Sequence, residues 1–265
     1  MSRRSELPIT GRPGGFTLVE LAVVLVILAL LAGGLIMSLS AQQDVARRNS
    51  SDRSLAAIQE ALIGFAAAQG RLPCPATDDS AGNEYFCKTA SDCSEGKTTG
   101  SDHGRCLQFF NGYIPGATLG LAPLDDKGRV LDAWNNPIRY SVTDKTISTI
   151  KYAFTRKEGL REARLENLAG LVLLNVCKAD PGSGVTACGT NNVLTTTPPA
   201  VLLSTGQYGL VSTNSDAKNN RNNDDLFISH LPNPPSGTDT GFDDLVVWIS
   251  PHILYSRMIA AGRLP

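Results

Sequence analysis

Residues 14–43 read GGFTLVELAVVLVILALLAGGLIMSLSAQQ. From Leu21 to Gln43, 23 residues, there is no charged side chain, and Leu21 to Met37 is unbroken apolar residue and glycine. About 20 such residues cross a bilayer as a helix, so the stretch predicts a transmembrane segment at about 17–40. A cleavable secretory signal has an apolar run of about 7 to 15 residues before a small-x-small site. Ser38-Leu39-Ser40-Ala41 has the look of such a site, but the run is too long and Glu20 stands at its leading edge. An ionised carboxylate in the apolar part of a membrane helix costs about 2.5 to 3.5 kcal/mol and calls for a partner, whereas one at headgroup depth needs none.

Beyond Gln43 the chain turns polar, with no glycine or proline before Gly64 and Gly70. Leu55, Ile58, Leu62 and Phe65 recur at helical spacing, with Asp52, Arg53, Gln59 and Glu60 opposite. Gly70 followed by Leu72-Pro73 supplies the stop. One helix from Phe16 to Gln69 is expected, about 80 Å long at 1.5 Å per residue. Its first half is apolar all round, and its second half can seat one face on a domain. Gly33 and Gly34 in the apolar half allow close helix approach or are ordinary small residues of a membrane helix.

The whole chain has 265 residues, with 24 basic against 25 acidic side chains and a net charge of −1, so nothing points to a nucleic-acid partner. With 25 glycines, 15 prolines and only 18% charged residues, turn-rich structure is expected beside the helix. The six cysteines, Cys74, Cys87, Cys93, Cys106, Cys177 and Cys188, all follow the apolar segment. They contain no C-x-x-C knuckle for zinc, and their number and placement predict disulfides in an exported domain. Cys177 with Cys188 is the natural local pair, and the other four leave three pairings open. Three arginines (Arg3, Arg4, Arg12) precede the apolar segment and three (Arg47, Arg48, Arg53) follow it. The cysteines decide the orientation, with the amino terminus cytoplasmic and the rest outside.

Residues 71–265 predict an α+β fold, the long helix packed on an antiparallel sheet domain with disulfide-bonded loops. Strands are expected at Ile138–Val142, Lys151–Phe154, Leu171–Val176, Val201–Ser204 and Leu245–Ile249, making a sheet of four or five. Ser250-Pro251 opens a terminal helix in which Ile253, Leu254, Met258 and Ile259 repeat before Gly262.

Gly14-Gly15-Phe16-Thr17-Leu18-Val19-Glu20, after a short arginine-bearing stretch and before the apolar helix, resembles the processing site of type IV prepilins and of the pseudopilins of type II secretion systems. The resemblance implies a pilin-like fold, a leader at 1–15, cleavage after Gly15 by a prepilin peptidase, and methylation of the new amine on Phe16. It also implies that Glu20 guides assembly by pairing with the Phe16 ammonium of a neighbouring subunit. Asp132-Ala133-Trp134-Asn135-Asn136-Pro137 resembles a turn of major pseudopilins, with Asn135 standing where they have glycine. Leu72-Pro73-Cys74-Pro75, Gly112-Tyr113-Ile114-Pro115 and Asp243-Asp244-Leu245 before Trp248 resemble a larger pilin-like subfamily.

Major pseudopilins often hold calcium in their C-terminal loops, and Asn214–Asp225 offers Asp216, Asp224 and Asp225 without EF-hand spacing. A polar loop explains the same residues, so no metal or cofactor is expected beyond this calcium option. His103, His230 and His252 sit in no catalytic motif, and no nucleophile elbow or phosphate loop is present, so the chain is not expected to be an enzyme. The expected function is a structural subunit of a type IV pilus or type II secretion-like filament, working with the peptidase, other subunits and an inner-membrane assembly platform. Its mature length of 250 residues favours a minor, tip or specialised subunit. The rival is a single-pass, membrane-anchored binding protein or adhesin that does not polymerise.

Overall fold

A computed structural model describes residues 15–182 and 184–264, the side chains of 32–41 excepted. The chain divides into two compact units, 1–46 and 47–265. The leader up to residue 14, and the side-chain surroundings of Gly33 and Gly34, lie outside the described residues.

Helix α1 covers Leu18–Gln69. In the first unit its described apolar side chains are exposed on every face, from 47% at Val24 to 85% at Leu18. Among the described residues of this unit the helix has no buried side. Among the described residues no helix is long and apolar enough to cross a membrane, and the expected span of 17–40 runs into residues whose side chains are not described.

From Arg47 onward α1 belongs to the second unit, and a stripe appears as the spacing predicts: Leu55, Ile58 and Leu62 are buried, with Ser51, Ile63 and Ala66 extending the row. Phe65 is only half-buried, and Gln59 turns inward to donate from Nε2 to the Trp248 carbonyl at 3.0 Å. Gly70 ends the helix at φ +69°, its N–H donating to the Ala66 carbonyl at 2.8 Å.

The remaining elements follow in order: β1 (Phe86–Cys87), β2 (Gly96–Lys97), β3 (Gly112–Tyr113), α2 (Gly116–Leu119), β4 (Arg139–Val142), α3 (Gly159–Ala163), β5 (Asn175–Cys177), β6 (Val193–Thr195), β7 (Ala200–Ser204), α4 (Ser215–Asn219), β8 (Leu226–Ile228), β9 (Leu245–Ile249) and α5 (Pro251–Ala260). The fold is α+β, with one four-stranded antiparallel sheet in the order β3-β4-β7-β9. A three-stranded sheet, β6-β5-β8, pairs β5 with β8 in parallel, and β1 with β2 form a hairpin.

The larger sheet is covered on both faces. Ile138, Tyr140, Val142, Leu202 and Ile249 join Leu55, Ile58 and Leu62 of α1, with Leu254, Tyr255 and Met258 of α5, in the main core. Val201 faces the other way and packs with Leu174, Val176 and Phe227 of the smaller sheet. This two-sided burial is why β7 reads as a continuous apolar run.

Three expectations are corrected. Lys151–Phe154 is a turn, with Tyr152 at φ +53°, and its apolar residues bury Ala153 and Phe154 without pairing in a ladder. The Leu171–Val176 strand is confined to Asn175–Cys177, because Leu171 to Leu174 lead irregularly into the sheet. In α5 the buried residues are Pro251, Leu254, Tyr255 and Met258, while Ile253 and Ile259 are about half exposed.

Candidate functional site

The motif at the start of α1 is built as a capping box. Thr17 is the residue before the first helical turn, and its carbonyl accepts from the Leu21 N–H at 3.2 Å. The Thr17 N–H and hydroxyl both donate to Glu20 Oε2, at 3.0 and 2.9 Å, and the Glu20 N–H donates back to Thr17 Oγ1 at 3.2 Å. Two of the unpaired amides at the helix start are thereby satisfied, and a carboxylate stands where the helix dipole favours negative charge. Among the described residues Glu20 Oε1 has no hydrogen-bond partner. Phe16 is 82% exposed, and a Cβ added at Gly15 would meet nothing within 4 Å. Thr17 was not singled out from the sequence, although Thr-x-x-Glu before an apolar run is the capping-box pattern.

The six cysteines form three disulfides: Cys74–Cys106, Cys87–Cys93 and Cys177–Cys188, the last as its short loop implies. Cys87–Cys93 closes the β1–β2 hairpin, while Cys74–Cys106 ties the segment after α1 to the strand-rich region.

The Asp132–Pro137 turn behaves as a structural device. Asp132 Oδ1 accepts from the Trp134 and Asn136 amides at 2.9 and 2.8 Å, and Oδ2 accepts from the Ser204 hydroxyl at 2.6 Å. Asn135 takes the left-handed conformation at φ +65° that asparagine tolerates, and Asn136 Nδ2 donates to the Gly206 carbonyl at 2.6 Å. The Ser51 hydroxyl of α1 accepts from the Ala133 N–H at 3.0 Å, which locks the turn to the helix. Burial pushes the Asp132 carboxyl above its usual range despite these donors.

The structure does not bring the three candidate calcium ligands together. Asp216 faces His230 at 3.0 Å, Asp225 faces Lys145 at 3.3 Å, and Asp224 caps the Leu226 amide at 3.1 Å. Among the described residues no group of three or more His, Cys, Asp or Glu side chains has metal-holding geometry. The histidines are likewise dispersed. His103 Nδ1 accepts from the Arg105 N–H at 3.0 Å, His230 stacks on Phe242 with ring centres 3.9 Å apart, and His252 is exposed on α5.

Asp244, which follows the half-buried Asp243, is 4% exposed and accepts from Asn220 Nδ2 at 2.8 Å. The same fully buried Asn220 carboxamide accepts from the Ile228 N–H at 2.6 Å and donates to the Ile228 carbonyl at 3.0 Å, standing in for a neighbouring strand at the free edge of β8. Burial pushes the Asp244 carboxyl up to about 7.

Residues 12–36 match the family described as "Prokaryotic N-terminal methylation motif". No curated protein and no solved structure matches the chain. The match covers the Gly15-Phe16 junction, the Thr17–Glu20 box and the apolar start of α1, and it implies processing by a prepilin peptidase and assembly with other pilin subunits. This amino-terminal motif is of the prepilin type and supports placing the chain with the type IV pilin-like and pseudopilin proteins.

Proposed function

We propose that this chain is a non-enzymatic structural subunit of a type IV pilus or type II secretion-like envelope filament, cleaved after Gly15 and methylated on Phe16. Residues at about 17–40 hold it in the inner membrane, with the leader cytoplasmic and the disulfide-bonded domain periplasmic. An inner-membrane assembly platform receives it, and its length suits a minor, tip or specialised position.

One observation carries this reading: a carboxylate fixed by a capping box heads a helix whose described apolar side chains in the first unit are exposed on every face. Those faces must be covered by lipid or by other helices of the same kind. Gly15 supports it too, because nothing among the described residues crowds that position, which leaves the need for glycine with whatever binds the junction.

Cleavage leaves the capping box intact, since the Thr17 N–H survives as the first peptide amide of the mature chain. The new Phe16 amine has an ordinary pKa near 8 and is mostly charged at neutral pH. Glu20 Oε2 is occupied by Thr17, and Oε1 remains for the ammonium of a neighbour. In a low-dielectric bundle an unpaired charge costs several kcal/mol more than a paired one, so this contact sets axial register.

The test separates insertion from assembly. Glu20→Ala is expected to reach the membrane fraction at normal abundance and to drop out of sheared filaments, and incorporation equal to the parent chain contradicts the reading. The rival, a membrane-anchored adhesin or binding protein that does not polymerise, predicts that neither the parent chain nor the variant enters sheared filaments.

A further inference from the structure

A cleft of about 500 Å³ opens where three loops meet: Ser91 in the loop closed by Cys87–Cys93, His103, and the stretch from Thr149 to Arg156. Its walls are tied together. The Arg105 guanidinium donates to the Ala90 carbonyl at 3.0 Å, the Thr155 hydroxyl to the Gly104 carbonyl at 2.6 Å, and the Lys157 N–H to the Ser101 carbonyl at 2.6 Å. The Tyr152 ring is stacked on Phe109 with centres 5.4 Å apart. Ser148 and Tyr152 bracket this wall, both with positive φ, +56° and +53°, a conformation that costs a non-glycine residue about 1–2 kcal/mol. The surrounding bonds hold that strain, so the cleft is preformed.

Two cations line the cleft against one carboxylate. Lys151 and Arg156 line it, and among the described residues neither has a carboxylate within 4.0 Å. The one lining carboxylate, Asp102, has a cation of its own, Lys157 at 3.8 Å. Burial, and then the neighbouring Lys97, hold the His103 imidazole below its usual pKa, with Asp102 acting the other way. Ser91, Thr149 and Tyr152 supply hydroxyls beside the two cations.

We propose that this cleft binds a small hydroxylated oxyanion, a sugar phosphate or a sugar acid. The Arg156 fork suits two oxygens of one phosphate or carboxylate, Lys151 adds a point charge, and the hydroxyls of Ser91 and Thr149 meet those of the ligand. The site lies in loops that the filament reading does not use, and it stands or falls without that reading.

The test is titration of the full-length, detergent-solubilised chain by calorimetry with glucose 6-phosphate, glucuronate, inorganic phosphate and glucose. Saturable binding of glucose 6-phosphate or glucuronate is expected, weakened roughly tenfold or more in K151Q/R156Q and reduced by added salt. Binding of the phosphate ester alone identifies phosphate as the group recognised, and binding of glucuronate alone identifies carboxylate. R156K, which keeps the charge and loses the fork, is expected to fall between the parent and the double variant. Near-UV circular dichroism matching the parent excludes unfolding as the cause. The proposal is overturned by absence of saturable binding to either sugar anion, by equal affinity for glucose, or by unchanged affinity in K151Q/R156Q.

Discussion

Arg71 and Glu84 meet in a two-point contact, each guanidinium nitrogen 2.7 Å from a carboxylate oxygen, with side-chain exposures of 7% and 11%. The pair lies just past the end of α1. Phe65 of the helix and Phe86 of β1 flank the Arg71 guanidinium at 5.2 and 5.3 Å. Glu84 also accepts from the Cys74 N–H at 3.3 Å, next to the Cys74–Cys106 bridge. Removing one partner leaves the other charge buried and uncompensated, a cost of about 3–5 kcal/mol. Glu84→Ala is therefore expected to lower the denaturation midpoint sharply, and the pair Arg71→Met with Glu84→Leu to lose much less than the sum of the single variants. Additive losses contradict the coupling.

Asp244 gives the domain a pH dependence of defined sign. Its folded carboxyl titrates at about 7, whereas in the unfolded chain an aspartate titrates near 4. The folded state thus holds an extra proton between those values. The stabilisation is complete below about pH 4, declines as pH rises, and is gone above about 7, a change on the order of a few kcal/mol. Asp132 and Asp243, also raised by burial, tilt the curve the same way. Asp244→Asn keeps an acceptor for Asn220 and is expected to flatten that slope. Identical slopes for the parent and the variant, in chemical denaturation at a series of pH values, rule Asp244 out as the source.

The last turn of α1 is capped from the far end of the sequence. Arg263, just past α5, donates from Nε to the Ala67 carbonyl at 3.0 Å and from Nη2 to the Ala68 carbonyl. A cation there also complements the negative end of the helix, which has no basic residue of its own in its last turn. Arg263→Ala is expected to cost about 1 kcal/mol and to speed amide exchange at Gly70 and the residues of the turn before it. Exchange unchanged in that turn shows that the cap contributes nothing.

What was legible in the sequence is what depends on near neighbours. The stripe at Leu55, Ile58 and Leu62, the Gly70 stop, the strand at Leu245–Ile249 and the Pro251 helix start each follow from spacing or turn chemistry within a few residues. Lys151–Phe154 misleads because Ala153 and Phe154 are buried side by side in a turn, and adjacent apolar residues say nothing about which geometry buries them. The parallel pairing of Asn175–Cys177 with Leu226–Ile228, the Arg71–Glu84 contact and the Arg263 cap join residues distant in sequence, and no local pattern announces them. Thr17 is the opposite case: Thr-x-x-Glu before an apolar run is a local pattern, and it gives Glu20 a partner three residues away within its own chain.

The most direct measurement is mass spectrometry of the amino terminus of the protein purified from its native membrane. The account predicts a chain beginning at Phe16 with one methyl group on its amine. A chain that retains Met1 and the arginine-bearing leader, or one that begins at Ala41, contradicts it.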